Sequence, residues 1–165
     1  MNGVTTRAAQ PADAPAMAAI YLAGIEDRVA TFQTVPPTEA EMAALASSRV
    51  PVVVAERHGE VVAWARIGPY SDPHEYYDGV GEATLYVARG ARGAGVGREL
   101  MFALEPVAEA AGFHKLVGKI FTTNAASIAL VHACGWHDVG VHRRHGRLDG
   151  EWKDVLVVEK LLGAV

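Results

Sequence analysis

The sequence predicts an α/β fold, in the α+β sense of helices layered on a sheet, and three observations carry that reading. Short β-type runs alternate with amphipathic helical stretches along the chain, an order that packs helices on a sheet rather than building a bundle or a sandwich. The 165 residues suffice for a single domain, 1–165, that buries roughly two-thirds of its unfolded surface. Half the residues are apolar, 21% are charged and 7% are aromatic, which excludes a disordered tail, a collagen or a charged linker.

The elements follow in order. Val4 to Ala8 reads as a strand, and Pro11-Ala12-Asp13 opens a helix carrying Met17, Ile20, Tyr21 and Ile25. Thr31-Phe32-Gln33 is short and β-like. Pro36-Pro37-Thr38 stops the chain and starts a second helix, with Thr38 at the cap and Glu41 three residues on in a capping box. Val52 to Arg57 and Val61 to Ile67 are strands flanking the hairpin turn His58-Gly59-Glu60. Gly68 to Gly81, with Pro69, Ser71, Asp72, Pro73, Asp78 and Gly79, carries too many breakers for regular structure, and a loop of that length points to function. Glu82 to Val87 is then a strand. Gly97 to Ala111 is a helix that Pro106 should kink or shorten. Lys115 to Phe121 is a strand and Asn124 to Cys134 a helix. Two strands end the chain, His137 to His142 and Lys153 to Leu161, joined through His145-Gly146-Arg147-Leu148-Asp149-Gly150; Leu156-Val157-Val158 reads as a core or interface run.

Charge and cysteine usage narrow the function classes. The net charge of −4 supplies no global attraction to nucleic acid or an anionic membrane, so a phosphate-bearing partner needs a local site. Cys134 is the only cysteine, so an internal disulfide is excluded and a cytoplasmic, reducing compartment is expected. Between Ala133 and Gly135 it reads as a small buried apolar residue rather than a nucleophile. No signal-peptide pattern opens the chain and no apolar run approaches the ~20 residues of a membrane span. The seven histidines, His142 and His145 among them, show no convergent ligand spacing, so no metal is expected.

The 17 glycines are unevenly placed: four fall between Gly90 and Gly97, in the run Arg89-Gly90-Ala91-Arg92-Gly93-Ala94-Gly95-Val96-Gly97-Arg98. A strand, a glycine-rich turn and a helix N-terminus in that order aim unpaired backbone N–H groups and a positive dipole end at one point, an anion cradle to which Arg92 and Arg98 add charge. The run matches neither the dinucleotide fingerprint, whose third glycine falls on Arg98, nor the P-loop, since no Gly-Lys-Ser or Gly-Lys-Thr follows. The same glycines would also serve a mere tight strand-to-helix turn.

Arg92-Gly93-Ala94-Gly95-Val96-Gly97 resembles the pyrophosphate loop of the GCN5-related N-acetyltransferase superfamily. The resemblance continues through Asn124-Ala125-Ala126-Ser127-Ile128-Ala129-Leu130, Gly135-Trp136 and Asp149-Gly150-Glu151-Trp152-Lys153-Asp154. With Tyr21 and the segment from Thr31-Phe32 to Pro36-Pro37-Thr38, it is specifically similar to the phosphinothricin and arsinothricin acetyltransferase group. The resemblance implies a mixed, mostly antiparallel sheet splayed in its middle, with helices on both faces and pantetheine of acetyl-CoA in the wedge between Glu82–Val87 and Lys115–Phe121. The run Leu85, Tyr86 and Val87 would bind the cofactor, with main-chain groups of Leu85 and Val87 pairing to its amides like an added strand. The pyrophosphate would fall to Arg92, Gly93, Ala94, Gly95, Val96, Gly97 and Arg98, and the pantetheine arm to Asn124. Leu85 and Val87 equally read as core, and Asn124 as a helix cap.

Acyl transfer to an amine needs a neutral nitrogen, an oxyanion donor and a proton for the leaving thiolate. Glu82 matches the family's glutamate base, and a solvated strand-end glutamate is the competing reading. The Val87 N–H matches the oxyanion donor. The position of the family's general acid, after Leu130, holds Val131; His132 is one step on and turned by about 100°, while a thiolate can also leave unprotonated. The loop Ser71-Asp72-Pro73-His74-Glu75-Tyr76-Tyr77-Asp78 has no arginine for an acidic substrate group, leaving Arg28, Arg66, Arg143 and Lys153 as unranked anchors. The resemblance therefore implies an acetyl-CoA-dependent N-acetyltransferase acting on a small amino acid or amine of the phosphinothricin, arsinothricin or methionine sulfoximine type, as a homodimer. The alternatives are acetylation of a protein or peptide N-terminal amine, and a CoA-binding module without catalysis.

Overall fold

Val52, Val53 and Val54 are all buried, and so are Ala63, Trp64 and Ala65, which strands tolerate only when both faces of their sheet are covered. In the computed structural model, which describes residues 3–70, 72 and 74–163, the covering is complete around these strands. The strands are β1 (Val4–Ala8), β2 (Val52–Arg57), β3 (Glu60–Pro69), β4 (Val80–Val87), β5 (Lys115–Phe121), β6 (His137–Leu148) and β7 (Glu151–Leu161). They form one sheet in the order β1-β2-β3-β4-β5-β7-β6. The β4–β5 pair is parallel and the others are antiparallel.

Among the described residues four α-helices flank the sheet: α1 (Ala14–Glu26), α2 (Glu39–Ala46), α3 (Val96–Ala110) and α4 (Ala125–Ala133). Met17 and Ile20 of α1 and Met42 of α2 pack with Val52, Val54 and Trp64 on one face. Leu100 and Leu104 of α3 and Val131 of α4 pack with Val53, Ala65 and Ile67 on the other. The Trp64 indole N–H donates to the Met17 carbonyl at 3.1 Å, so the ring that anchors α1 leaves no buried donor unpaired. Asp13, buried ahead of α1, accepts from both terminal nitrogens of Arg7 and from the Gln10 N–H, fixing α1 to β1. At α2 the Thr38 hydroxyl accepts from Glu41 N–H at 3.2 Å and the Glu41 carboxylate accepts from Thr38 N–H at 2.7 Å, the reciprocal cap that the sequence predicts.

The structure corrects several expectations. Thr31-Phe32-Gln33 is not a strand: the Gln33 N–H bonds the Thr31 hydroxyl at 3.1 Å, a local bond that competes with a ladder. The segment is held instead by the Phe32 ring, which meets Phe121 edge-on at 4.6 Å. The third strand extends to Pro69 and the fourth begins at Val80, so the irregular segment is shorter than Gly68–Gly81 and Glu82 is the third residue of its strand, not the first. Ser71 and Pro73 of that loop lie outside the described residues. Pro106 does not stop α3, which runs on to Ala110; the proline sits on the solvent side, where water can take the carbonyl left without its N–H. The last two strands are longer than the periodicity implies, because Asp149-Gly150, both at positive φ, form a two-residue hairpin turn that lets β6 reach Leu148. Leu156 and Val158 are buried in β7, inside the sheet between β5 and β6, which makes that run core.

Candidate active site

The parallel pairing of β4 with β5 covers Val80–Lys115, Gly81–Leu116 and Glu82–Val117. Beyond Glu82, β4 stays paired with β3 as far as Val87 opposite Ala63, and β5 stays paired with β7 as far as Phe121 opposite Val155. The two strands therefore part after Glu82, and the splay implied by the resemblance is present. Cavities of about 300 and 490 Å³ adjoin the gap and share Ala30, Leu85, Tyr86, Asn124, Ser127 and Leu130.

Backbone parity decides what β4 offers the gap. The Ala88 N–H bonds the Val62 carbonyl at 2.8 Å, and antiparallel bonds recur at alternate residues. The main-chain groups of Glu82, Thr84 and Tyr86 thus face β3, while those of Leu85 and the N–H of Val87 face the gap. Side chains alternate as well: Leu85 and Val87 pack on the α3 face, so the core reading and the cleft reading hold together for both. Tyr86 belongs to the opposite face, with Tyr21 at 4.5 Å and Trp64 at 5.2 Å. Its backbone faces β3 and its ring faces α1, yet the residue borders both cavities. Burial pushes its phenol well above the ordinary range, which keeps it a neutral hydroxyl.

At the larger cavity, α3 begins from Gly95, a left-handed residue at φ +81° that offers no side-chain cap. Residues with a Cβ pay about 1–2 kcal/mol for that conformation; with no side-chain cap the helix presents its N–H end to the cavity, a setting that favours an anion, although the Arg98 N–H is already bonded to the Gly95 carbonyl at 3.1 Å. Gly97 serves a different purpose: a Cβ there would lie 3.0 Å from Leu130 Cδ2, so its absence lets α3 close on α4. Val96 is buried and Ala94 packs partly against the core; their side chains anchor the loop while Gly93, Gly95, Gly97 and Arg98 line the cavity. The Arg98 guanidinium stacks over the neutral Phe102 ring at 5.5 Å. The Arg92 guanidinium instead pairs with Asp27 at 2.7 Å and donates from Nε to the Val87 carbonyl at 3.1 Å. Asp27 also pairs with Arg89 at 2.8 Å, and the two arginines, Arg89 foremost, hold its carboxyl below the usual range. Asn124 caps α4 by accepting from Ser127 N–H and donates to the Val29 carbonyl, both at 3.1 Å. The cap and the position beside both cavities coexist.

The smaller cavity holds Glu82, and its carboxylate is paired with the Lys119 ammonium at 2.9 Å. The sequence reading misses Lys119. Its signal is register: Glu82 lies opposite Val117, and a residue two further along β5 shares the face of Val117. Val131 is buried and lines this cavity with an aliphatic side chain. His132 lies outside both cavities and pairs with Asp138 at 2.7 Å. Among the four anchors, Arg28 pairs with Asp149 and Lys153 with Glu151, and Arg143 is exposed on β6. Arg66 stands opposite Thr84, two residues from Glu82 on the same face, with its guanidinium carbon 4.0 Å from where a Cβ on Gly68 would lie, and Gly68 is the strand partner of Glu82. Cys134 is buried, and burial raises its thiol, as suits a packing residue.

Residues 18–136 match the model of the acetyltransferase (GNAT) family. The chain is 33% identical to phosphinothricin N-acetyltransferase of Alcaligenes faecalis over 97% of its length and 83% of the relative's. It is also 33% identical to an L-methionine sulfoximine/L-methionine sulfone acetyltransferase of Pseudomonas paraeruginosa, over 93% and 91%. Among solved structures, a ribosomal-protein-alanine N-acetyltransferase from Brucella melitensis superposes with a TM-score of 0.90 at 36% identity, covering 96% of this chain and 99% of that one. A phosphinothricin acetyltransferase from Sinorhizobium meliloti in complex with acetyl-CoA gives 0.89 at 31% identity, covering 98% and 89%.

Proposed function

The chain belongs to the acetyltransferase (GNAT) family, and on that premise we propose that it moves the acetyl group of acetyl-CoA directly to the amino group of a small amino-acid-like acceptor of the phosphinothricin, arsinothricin or methionine sulfoximine type, with Glu82 as general base. The observation that carries this reading is the parting of β4 from β5 immediately after Glu82. It puts a carboxylate at one end of a cleft whose other end is the uncapped start of α3.

The cleft suits an extended, phosphorylated thioester. The first-turn amides of α3 and the Arg98 guanidinium would hold a pyrophosphate, Leu85 would pair with a pantetheine amide, and Asn124 borders the arm's path. Arg92 takes part by fixing the loop, since its charge is met by Asp27. Acetyl-CoA, when bound, supplies the thioester carbonyl: an N–C bond forms, the C–S bond breaks, CoA leaves as its thiol, and of the two protons the ammonium gives up one ends on sulfur and one in solvent. Glu82 binds the incoming ammonium and takes its first proton, directly or through water. The Val87 N–H, aimed into the gap, donates to the developing oxyanion. Val131 can donate no proton, so nothing at that position of α4 protonates the leaving thiolate, which can depart unprotonated.

Thiol release with acetyl-CoA against a panel of phosphinothricin, L-methionine sulfoximine, ordinary amino acids and short peptides tests the proposal. An N-acetyl amino acid is the product expected. Acetylation of peptides alone would replace the acceptor, and tight CoA binding without turnover would replace the activity. The same reading carries a cytoplasmic homodimer, with Val139 and Val141 exposed on edge strand β6 as apolar surface for a second copy to cover.

A further inference from the structure

We propose that Glu82 and Lys119 together form a receptor for the zwitterion of an α-amino acid, with Lys119 as the specificity-determining residue that takes the substrate carboxylate. The inference rests on the acetyl-transfer reading and names the acceptor's charge pattern.

Lys119 and Glu82 line the same cavity, neither side chain fully exposed at 35% and 28%, with the ammonium 2.9 Å from the carboxylate. The carboxylate that has to receive the acceptor's ammonium is thus already occupied by an ammonium of the protein. An amine without a carboxylate must push Lys119 aside and leaves two cations competing for one anion. A zwitterion exchanges partners instead: its ammonium takes Glu82, its carboxylate takes Lys119, and four alternating charges leave the cleft no less balanced than before. The scale fits, because the amino nitrogen and carboxylate carbon of an α-amino acid are about 2.5 Å apart by bond lengths and angle, comparable to the ion pair they replace. The Lys119 ammonium rides on a flexible four-carbon stem and can follow the carboxylate without backbone movement.

The surroundings favour an anion on this side. Arg66 stands on the same sheet face two residues from Glu82, so the base is flanked by a cation on β3 and another on β5. The loop before β4, by contrast, offers Asp72, Glu75 and Asp78, which repel a carboxylate. The anchor lacking from the loop is thereby supplied by the sheet.

The test measures Kd in the presence of CoA, and kcat and KM with acetyl-CoA, for L-methionine sulfone and its decarboxylated amine, in the wild type, Lys119→Met and Lys119→Arg. The wild type is expected to favour the amino acid at least tenfold. Lys119→Met should erase that preference by raising Kd and KM of the amino acid at least tenfold while the amine binds no more weakly, and Lys119→Arg should restore most of it. Equal binding of acid and amine by the wild type, or an unchanged preference in Lys119→Met, overturns the receptor whether or not acetyl transfer occurs. Selective binding lost in Lys119→Met but without any turnover in the wild type supports the receptor and removes the acetyltransferase reading instead.

Discussion

The Arg92 guanidinium lies 2.7 Å from the Asp27 carboxylate and its Nε donates to the Val87 carbonyl, so this loop arginine binds the end of β4 to the end of α1. Arg98, over the Phe102 ring, keeps its charge for the cavity. The two should therefore fail differently. Arg98→Ala should weaken acetyl-CoA binding about tenfold at low salt and less at high salt, with little change in melting temperature. Arg92→Ala should lose about 1–2 kcal/mol of stability, seen as a drop of about 2–8 °C. Titration calorimetry at two salt concentrations and thermal melts separate them.

Gly146 leaves room for the ring that shapes the acceptor cavity. A Cβ there would come within 2.6 Å of Phe32 Cζ, and Phe32 packs on Phe121 with both lining the cavity beside Glu82. Gly146→Ala should displace Phe32 and raise KM for the acceptor severalfold while the KM for acetyl-CoA stays within about twofold, the cost of overpacking falling in the range of about 1–3 kcal/mol. Steady-state kinetics with each substrate varied in turn checks this.

Asp13 sets an acid limit on stability. Hydrogen bonds from Arg7, ahead of the opposing effect of burial, hold its carboxyl below the ordinary value. A depressed folded-state pKa gives stability that is present above the unfolded value, near 4, and lost as pH falls through the folded one. Asp13→Asn should cost about 1–3 kcal/mol at neutral pH and flatten the acid limb of a plot of unfolding free energy against pH; an unchanged acid limb would remove Asp13 from the cause.

His132 provides the control. It sits one residue past Val131, but it pairs with Asp138 outside the cleft, so His132→Ala should keep kcat/KM within about twofold. A tenfold loss would mean that a proton donor reaches the thiolate from α4 after all.

Much of this was legible in the chain. Turn and cap chemistry is local, so Thr38 with Glu41 and the glycine loop before α3 announce themselves. The burial of Val52 to Val54 follows from an apolar run. Long-range partners are harder to read. Nothing near Arg92 names Asp27 as its partner, and nothing near Lys119 names Glu82, because each pair depends on strand register or on the end of a distant helix. The strand expected at Thr31-Phe32-Gln33 fails for the same reason: its β-branched and aromatic residues suit a ladder, but its contacts are with Phe121 and Gly146, more than eighty residues away.

The central claim is that an amine held by Glu82 in the gap between β4 and β5 receives the acetyl group. Its most direct test is the turnover rate for thiol release from acetyl-CoA with a saturating amino-acid acceptor, wild type against Glu82→Gln, with acetyl-CoA affinity measured in both. The account predicts at least a tenfold lower rate in Glu82→Gln at unchanged acetyl-CoA affinity. Equal rates in the two proteins would contradict it.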